Sequence, residues 1–375
     1  MIHPADRKLC SGCCTCAEAC PVQAITMSPD PMGFLYPVID PARCTDCGLC
    51  ARICPFEKAR PRELDPAAEH FYLFRNENDL EKSQSGGLSD ALASRAISLG
   101  MVVYGAAMED DFSVRHIRVE KMEDAGRLRL SKYVQSNMRG IPTAVLEDLK
   151  AGRKVLFTGT PCQCAGIAAA ASRYRENLIL CDIICHGVPS PKVWADYIAY
   201  RKKKGRKRLL RAVFRDPAEG WHRAVESYDF SGKKLVTDEY SYLYYRCLMD
   251  RPSCLQCPYS SMNRPSDITM GDAWGIEKTE YAALSDDERG MSLAIVHTPK
   301  GASFFIDTPF SVRQEVEPGP FMQQNLRVTT YPDPEANSFE NDYIRKGFRY
   351  VNRKYGKVSL RFRIRHWIGT WKGYQ

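Results

Sequence analysis

The sequence lacks the patterns that most readily indicate a protein's compartment or a nucleotide-binding site. Met1–Leu9 contains no apolar run before the first cysteine, and no later stretch is apolar over the length that crosses a bilayer. We therefore expect neither a secretory signal nor a membrane span. Neither a G-x-G-x-x-G nor a Walker pattern occurs, which argues against a standard Rossmann or P-loop nucleotide site.

Excess charge is absent from most of the chain. The net charge is +8, but residues 341–375 hold ten Lys/Arg and a single acid, Asp342, so the rest of the chain is close to neutral. This distribution gives no reason to expect a nucleic-acid partner, and only the basic terminal segment needs an explanation by charge. For that segment, packing on the body is favoured over peripheral contact with a membrane or an acidic partner.

Cysteine, by contrast, is abundant, with sixteen in 375 residues. Without a secretory signal, that number indicates metal ligation in a reducing cytoplasm rather than disulfide bonds. Eight of the cysteines form two runs of C-x-x-C-x-x-C-x-x-x-C-P, from Cys10 to Pro21 and from Cys44 to Pro55. This is the spacing of bacterial two-cluster 4Fe-4S ferredoxins. A disulfide framework and zinc ribbons are the alternatives, and both fit less well.

In such ferredoxins the fourth cysteine of each run ligates the cluster of the other run, which assigns four thiolates to each cluster. One set is Cys10, Cys13, Cys16 and Cys54. The other set is Cys20, Cys44, Cys47 and Cys50. Cys14 lies outside the spacing and is expected to be a small buried residue. We predict a two-cluster ferredoxin unit over residues 1–60 and a linker over residues 61–70.

Beyond the linker, apolar patterns of strand and helix length alternate. Lys154–Thr158 and Asn177–Ile184 predict buried strands, and helices are expected to begin near Gln163 and Val193. Such alternation predicts an α/β sheet with ligand loops at the carboxyl ends of its strands. The expected fold class is α/β, or α+β overall with the ferredoxin unit included. The expected boundaries are 71–152, 153–335 and a basic tail over 336–375.

The basic tail carries two conflicting patterns. Apolar residues recur at helical spacing from Ile344 to Phe362, whereas Val358–Arg365 alternates with the period of a strand. The sequence does not decide between a helix and a strand there.

Seven further cysteines lie in the body, and four of them occupy positions suited to metal ligation. Cys254-x-x-Cys257 forms a two-ligand clip, Cys162 lies at a strand-to-helix turn, and Cys185 ends the following strand. Their thiolates could converge on a third iron–sulfur cluster. A zinc on Cys254 and Cys257, or a nucleophilic Cys162, fits the same spacing. The remaining three are expected to be packing residues: Cys164, Cys181 and Cys247.

Six short motifs occur together in the body: SGG at 85–87, KYVQS at 132–136, GTPCQ at 159–163, CHGVPSP at 185–191, RPSCxxC at 251–257 and DITxGDxWG at 267–275. Over about residues 80–330 the chain resembles the coenzyme F-420 hydrogenase/dehydrogenase beta-subunit family. The resemblance implies an α/β flavoprotein body that binds FAD, with the third 4Fe-4S cluster near the flavin on Cys162, Cys185, Cys254 and Cys257. Some relatives use the deazaflavin F-420, although nothing in this sequence identifies a pocket for it.

FAD needs N–H donors for its pyrophosphate, and two turns are candidate cradles. Ser85-Gly86-Gly87 precedes a predicted helix, where glycine permits close backbone approach and the helix end is positive. Gly159-Thr160 precedes another. At both positions a plain capped turn is the alternative.

Two polar side chains are candidate catalytic groups. His186 could donate a proton to substrate or hydrogen-bond the flavin, because histidine titrates near neutrality; a structural histidine is the alternative. Lys132 could place positive charge near the flavin or its phosphates, with a surface lysine as the alternative. Asp272 and Trp274 are expected to order the loop beside Cys254 and Cys257 rather than to catalyse.

These features predict a cytoplasmic iron–sulfur flavoprotein oxidoreductase that passes electrons between its clusters and FAD. A redox partner protein or a small-molecule substrate would lie at the other end. Ferredoxin clusters move single electrons, whereas organic reductions need two electrons and a proton, so a flavin is the expected converter. The alternative is a non-enzymatic electron-transfer subunit that serves a separate catalytic partner.

Overall fold

The N-terminal cysteine runs are built into a small unit of two short helices and one hairpin. α1 (Thr15–Glu18) and α2 (Leu49–Ile53) lie within the two runs, and β1 (Ile25–Pro29) pairs antiparallel with β2 (Leu35–Ile39). Gly33 closes the hairpin at a φ of +82°, a conformation that glycine adopts without strain. This unit agrees with the ferredoxin fold expected from the cysteine spacing.

The computed structural model of the chain describes residues 6–56, 69–78, 80–205, 207–285 and 288–357. Most of the predicted linker and the alternating segment Val358–Arg365 lie outside these residues. No helix within the described ranges is long and apolar enough to cross a membrane.

An eight-stranded mixed sheet forms the centre of the body. Four neighbouring strands in it are parallel: β4 (Val102–Met108), β6 (Val155–Gly159), β7 (Leu178–Ile183) and β11 (Ile268–Asp272). Antiparallel strands flank them: β5 (Val114–Val119) beside β4, and then β12 (Ser292–Val296), β3 (His70–Arg75) and β13 (Val312–Val316) beyond β11. The carboxyl ends of the parallel strands share one edge of the sheet, where ligand loops are expected.

Helices cover both faces of this sheet. On one face α3 (Leu88–Ser98) and α9 (Pro299–Ile306) bury apolar side chains, and on the other face α5 (Ile141–Lys150) and α6 (Pro161–Ala170) do so. The short α4 (Met122–Ala125) follows β5. With strands and helices alternating along residues 102–183, the predicted α/β class is confirmed.

A second core, rich in aromatic side chains, lies beside a small antiparallel sheet. The sheet consists of β8 (Leu209–Val213), β9 (Glu226–Phe230) and β10 (Lys233–Thr237). Four helices pack around it: α7 (Pro191–Gly205), α8 (Glu239–Tyr245), α10 (Ala336–Lys346) and α11 (Phe348–Tyr355). Up to Tyr355 the terminal segment therefore packs on the body, as the sequence favoured. It is helical there, a choice that the sequence left open.

The ferredoxin unit lies directly on the body. Gly166 of α6 is so close to it that a Cβ there would be 2.9 Å from Cys13 Cβ and 2.7 Å from Thr15 Oγ1. Cys14 is buried in the core that α6 shares with the sheet. The first cysteine run is thus placed beside the amino-terminal turn of α6, where Cys162 lies.

Candidate functional site

One set of ferredoxin cysteines lines a small cavity near the protein surface. Cys20, Cys44, Cys47 and Cys50 surround it, and Cys47 is exposed to solvent. The backbone N–H of Ala24 donates to Cys20 Sγ over 3.3 Å, a bond that stabilises a thiolate. Four convergent thiols with an N–H···S bond fit the predicted cluster.

The other set lies deeper in the protein. Burial raises the pKa of Cys16, and the neighbouring thiols of Cys13, Cys10 and Cys54 raise it further. Arg251 opposes this effect at Cys10, where its Nη2 is 3.6 Å from Sγ. The four cysteines that the spacing assigned to one cluster are therefore close together.

The body cysteines also converge. Burial, followed by the charge of the nearby Cys257 thiolate, raises the pKa of Cys162 to about 12. The pKa of Cys185 is raised by burial and then by Cys162 and Cys257, and that of Cys254 by burial, then Asp250, Cys185 and Cys162. Four thiolates so close together would repel one another strongly unless a metal supplied positive charge. This donor set fits an iron–sulfur cluster, with four cysteine ligands.

The body set adjoins the deeper ferredoxin set. The thiols of Cys13 and Cys162 are close enough for Cys13 to raise the pKa of Cys162. Tyr259 lies beside both sets, since thiols of each raise the pKa of its phenol above the ordinary value, after burial. Its hydroxyl donates to the carbonyl of Pro55 over 2.9 Å. α1, which holds Cys16, contacts α2, which holds Cys50, so the two ferredoxin sets adjoin as well. The cysteine sets therefore form a row from the exposed ferredoxin set to the body set.

A cavity of about 750 Å³ opens at the carboxyl ends of the parallel strands, at the end of this row. Cys185, a member of the body set, lines it. Most of the residues predicted to bind the flavin line it as well: Ser85, Gly87, Lys132, Gly159, Thr160 and His186. Asp272 and Trp274 also belong to its wall. Four strand ends and two distant loops are therefore brought together at one cavity.

The Ser85–Gly87 turn approaches the sheet closely. A Cβ at Gly86 would collide with the carbonyl oxygen of Phe74 and the N–H of Ser292, so only glycine fits there. Ser85 and Gly87 have φ values of +55° and +77°, and no side chain caps the start of α3. Beside the turn, Gln84 Oε1 and Ser83 Oγ are buried without hydrogen-bond partners. Uncapped N–H groups and unpartnered polar atoms fit a polar ligand.

At the second candidate cradle, Gly159-Thr160, polar groups of the turn already cap the start of α6. The N–H of Thr160 donates to Gln163 Oε1 over 3.0 Å, and the Thr160 side chain in turn accepts from the backbone N–H of Gln163. This reciprocal arrangement satisfies groups that a ligand would otherwise bind. Gly159 and Thr160 still line the cavity, but only the helix that follows the Ser85–Gly87 turn lacks such a side-chain cap among these two.

Lys132 is half-buried at the cavity wall. Its ammonium donates to the carbonyls of Leu128 at 3.0 Å and Arg129 at 2.6 Å, and more weakly to that of Arg127. Burial lowers the pKa of Lys132 to about 7. Within the described contacts no carboxylate pairs with it, so an anionic ligand bound beside it would favour the charged ammonium.

His186 is held among aromatic rings. The edges of Tyr244 and Tyr245 face it, with centroid distances of 5.3 and 5.9 Å, and its Nε2 is 4.0 Å from Cys247 Sγ. Burial lowers the pKa of the imidazole, so the ring is neutral at pH 7. A neutral ring suits a hydrogen bond to a ligand better than the release of a proton.

Sequence reasoning missed two parts of the cavity wall. Arg215 forms a 2.7 Å ion pair with Asp272 and lies over Trp274 at 5.1 Å, while Trp221 Nε1 donates to Asp272 over 2.8 Å. Asp272 thus holds two distant side chains of the body in place. Tyr133 was also missed, although it stacks on Tyr244 at 4.5 Å. Its position beside Lys132 in the KYVQS motif was the available signal.

Comparison with known proteins gives two family matches. Residues 152–318 match the family that comprises the carboxyl terminus of the coenzyme F420 hydrogenase/dehydrogenase beta subunit, and residues 9–58 match a 4Fe-4S dicluster domain. A solved structure of the F420-reducing NiFe hydrogenase complex from Methanosarcina barkeri is similar at 14% identity and a TM-score of 0.45. That alignment covers 76% of this chain and 90% of the other. No curated protein matches the chain significantly.

Proposed function

Because the chain joins a 4Fe-4S dicluster domain to a carboxyl-terminal domain of the coenzyme F420 hydrogenase/dehydrogenase beta-subunit family, we propose that it is an iron–sulfur flavoprotein oxidoreductase. It would pass electrons between ferredoxin-type clusters and FAD. One observation carries this proposal. Cys185 belongs to the body set of cysteines and also lines the large cavity, so a redox centre and a ligand would be neighbours.

Three clusters are proposed, with the ligands that the spacing and the resemblance suggested. The exposed ferredoxin cluster would take Cys20, Cys44, Cys47 and Cys50. The deeper cluster would take Cys10, Cys13, Cys16 and Cys54. The body cluster would take Cys162, Cys185, Cys254 and Cys257. Their order along the row supports electron entry or exit at the exposed set, because neighbouring sets adjoin one another from there to the cavity.

FAD is the proposed occupant of the cavity. The uncapped turn Ser85–Gly87 would hold its pyrophosphate through backbone N–H groups, and Gly159 and Thr160 would contact it from the end of β6. When bound, a flavin links one-electron centres to two-electron chemistry. A redox partner protein or a small molecule is the proposed substrate. A reducing cytoplasm is the proposed location, since thiolate-ligated clusters persist there.

Lys132 and His186 are the proposed catalytic residues. The Lys132 ammonium, fixed by backbone carbonyls, would offer positive charge to the flavin or its phosphates. The neutral His186 ring would donate a hydrogen bond to the flavin or the substrate. Both roles depend on the positions of these residues at the cavity wall.

The cofactor content of the purified chain tests the proposal directly. After anaerobic purification we expect about twelve iron atoms, as many labile sulfides and one FAD per chain, because three 4Fe-4S clusters and one flavin site are proposed. Iron, sulfide, zinc and flavin are quantified on the same sample. About eight iron atoms without flavin would overturn the enzyme proposal and leave an electron carrier that serves another catalytic protein.

Replacing Lys132 tests the flavin site independently of turnover. Lys132→Met should weaken FAD binding about tenfold to a hundredfold, because a hydrogen bond to a charged group contributes roughly 1.5–3 kcal/mol. FAD affinity is measured by titrating the flavin-depleted chain. Lys121→Met is the control, since that lysine is exposed and lies outside the cavity lining. Equal FAD affinity of the two variants would contradict the assignment of Lys132.

A further inference from the structure

Three metal-ligating side chains converge at a place that the cysteine sets do not use. His186, Cys247 and Asp250 each offer one ligand atom, and these atoms lie within 4.8 Å of one another. Cys247 Sγ is 4.0 Å from His186 Nε2. Sequence reasoning missed this group, because Cys247 lies outside the cysteine clip and was expected only to pack.

Within the part of the chain that the structure describes, the Asp250 carboxylate and one ring nitrogen of His186 have no hydrogen-bond partner. Both carboxylate oxygens of Asp250 and the Nδ1 atom of His186 are buried without a hydrogen bond. A buried carboxylate without a partner is costly, whereas a bound cation satisfies it. The backbone is also held tightly against this carboxylate. A Cβ at Gly187, whose φ is +142°, would lie 2.6 Å from Asp250 Oδ2.

We propose that His186, Cys247 and Asp250 bind one divalent transition-metal ion, with Zn²⁺ as the ion that suits them best. A nitrogen, a thiolate sulfur and a carboxylate oxygen form a donor set typical of zinc. In a tetrahedral zinc site, sulfur and nitrogen ligands stand about 3.6 Å apart. The observed 4.0 Å needs to close by only a few tenths of an ångström. Three protein ligands leave the fourth position to water or another ligand.

The ion would join two segments that carry ligands of the body set. His186 follows Cys185, and Asp250 lies four residues before Cys254 and bridges to Pro189 through the backbone. Binding at one ring nitrogen leaves the other free to carry a proton, so the proposed hydrogen-bond role of His186 is retained. The metal site stands on its own geometry, whether or not FAD occupies the cavity.

The full chain, purified anaerobically with its iron–sulfur clusters and supplied with Zn²⁺, provides the test. We expect one zinc per chain, and a zinc-edge X-ray absorption spectrum with a single sulfur neighbour and nitrogen or oxygen for the rest. Cys247→Ala and Asp250→Asn should each weaken zinc binding by more than the roughly 100-fold that loss of an outer-shell partner can cost. Iron content should stay at the wild-type level in both.

Cys181→Ala is the matched control, because Cys181 is equally buried but lies on β7, outside this group. It should bind zinc as the wild type does. Absence of zinc from the wild type, or equal zinc affinity in Cys247→Ala and Cys181→Ala, would overturn the proposal. So would a zinc spectrum with several sulfur neighbours, which would place the ion on the cysteine clip. If Cys247→Ala fails to fold, Asp250→Asn and the wild-type spectrum still decide.

Discussion

Replacing Cys254 with serine is expected to remove one cluster and leave two. The iron content should fall from about twelve atoms to about eight, and electron transfer from the ferredoxin clusters to the cavity should stop. Cys254 is half-buried, and the thiols of Cys185 and Cys162 both raise its pKa, after burial and Asp250. A serine hydroxyl at this position is a far poorer iron ligand than a thiolate at neutral pH, because its proton is held far more tightly.

Electron paramagnetic resonance of the reduced protein measures this outcome. The signals of the two ferredoxin-type clusters should persist in Cys254→Ser, while the third signal disappears. Cys181→Ser is the control, since it makes the same chemical change at a buried cysteine outside the proposed ligand sets. Persistence of all three signals in Cys254→Ser would refute the ligand. Loss of all three signals would point instead to misfolding. The iron content of the control shows whether a buried cysteine-to-serine change by itself causes such a loss.

The two ferredoxin sets could be predicted from the sequence because their ligands are local. Three thiolates at two-residue intervals surround one cluster on a short loop, so spacing alone is informative. The sequence also allowed the prediction that Cys162 and Cys185 lie at the same edge of the sheet. Each follows a strand with a clear apolar pattern, and parallel strands bring their carboxyl ends to one edge.

Other parts of the site depend on contacts that no local pattern reports. β11 lies in the middle of the sheet, yet the sequence around Ile268–Asp272 predicts mainly loops. Five residues that include a glycine and a threonine are too few to show a period. β3 pairs with β12 more than 200 residues later, and α8 supplies the tyrosines around His186. Such pairings come from tertiary packing, which local propensity does not predict.

The sequence also does not show which arginines link the body to the ferredoxin unit. Arg251 stood in a recognised motif, but its partners lie more than 110 residues away along the chain. Its Nε donates to the Cys10 carbonyl at 2.6 Å, its Nη1 to Gln135 Oε1 at 2.9 Å and its Nη2 to the Leu35 carbonyl at 2.8 Å. The guanidinium is fully buried and lies 4.3 Å from the ring centre of Tyr36. One side chain thus ties the body to both the first cysteine run and the hairpin.

Arg251→Met should therefore make the deeper cluster release its iron more readily and lower its reduction potential. Methionine keeps an unbranched chain but donates no hydrogen bond, so the carbonyls of Cys10 and Leu35 lose a partner at a cost of about 1–3 kcal/mol each. Loss of the buried positive charge beside Cys10 Sγ disfavours the reduced, more negative cluster. Iron release to a chelator should accelerate about tenfold or more, because about 1.4 kcal/mol corresponds to a factor of ten.

Arg7→Met separates this effect from the general loss of an arginine at the same interface. Arg7 also crosses from the ferredoxin unit to the body, where it pairs with Glu340 at 2.8 Å, but more than a third of its side chain is exposed. Exposed ion pairs contribute about 1 kcal/mol or less, so iron release should change little. Redox titration followed by electron paramagnetic resonance should show a shift only in Arg251→Met, and only for the deeper cluster. Equal reduction potentials of the deeper cluster in the two variants would contradict the predicted shift. Arg251 would then hold the ferredoxin unit on the body through its carbonyl contacts, while its contact with the Cys10 thiolate would leave the potential of the cluster unchanged.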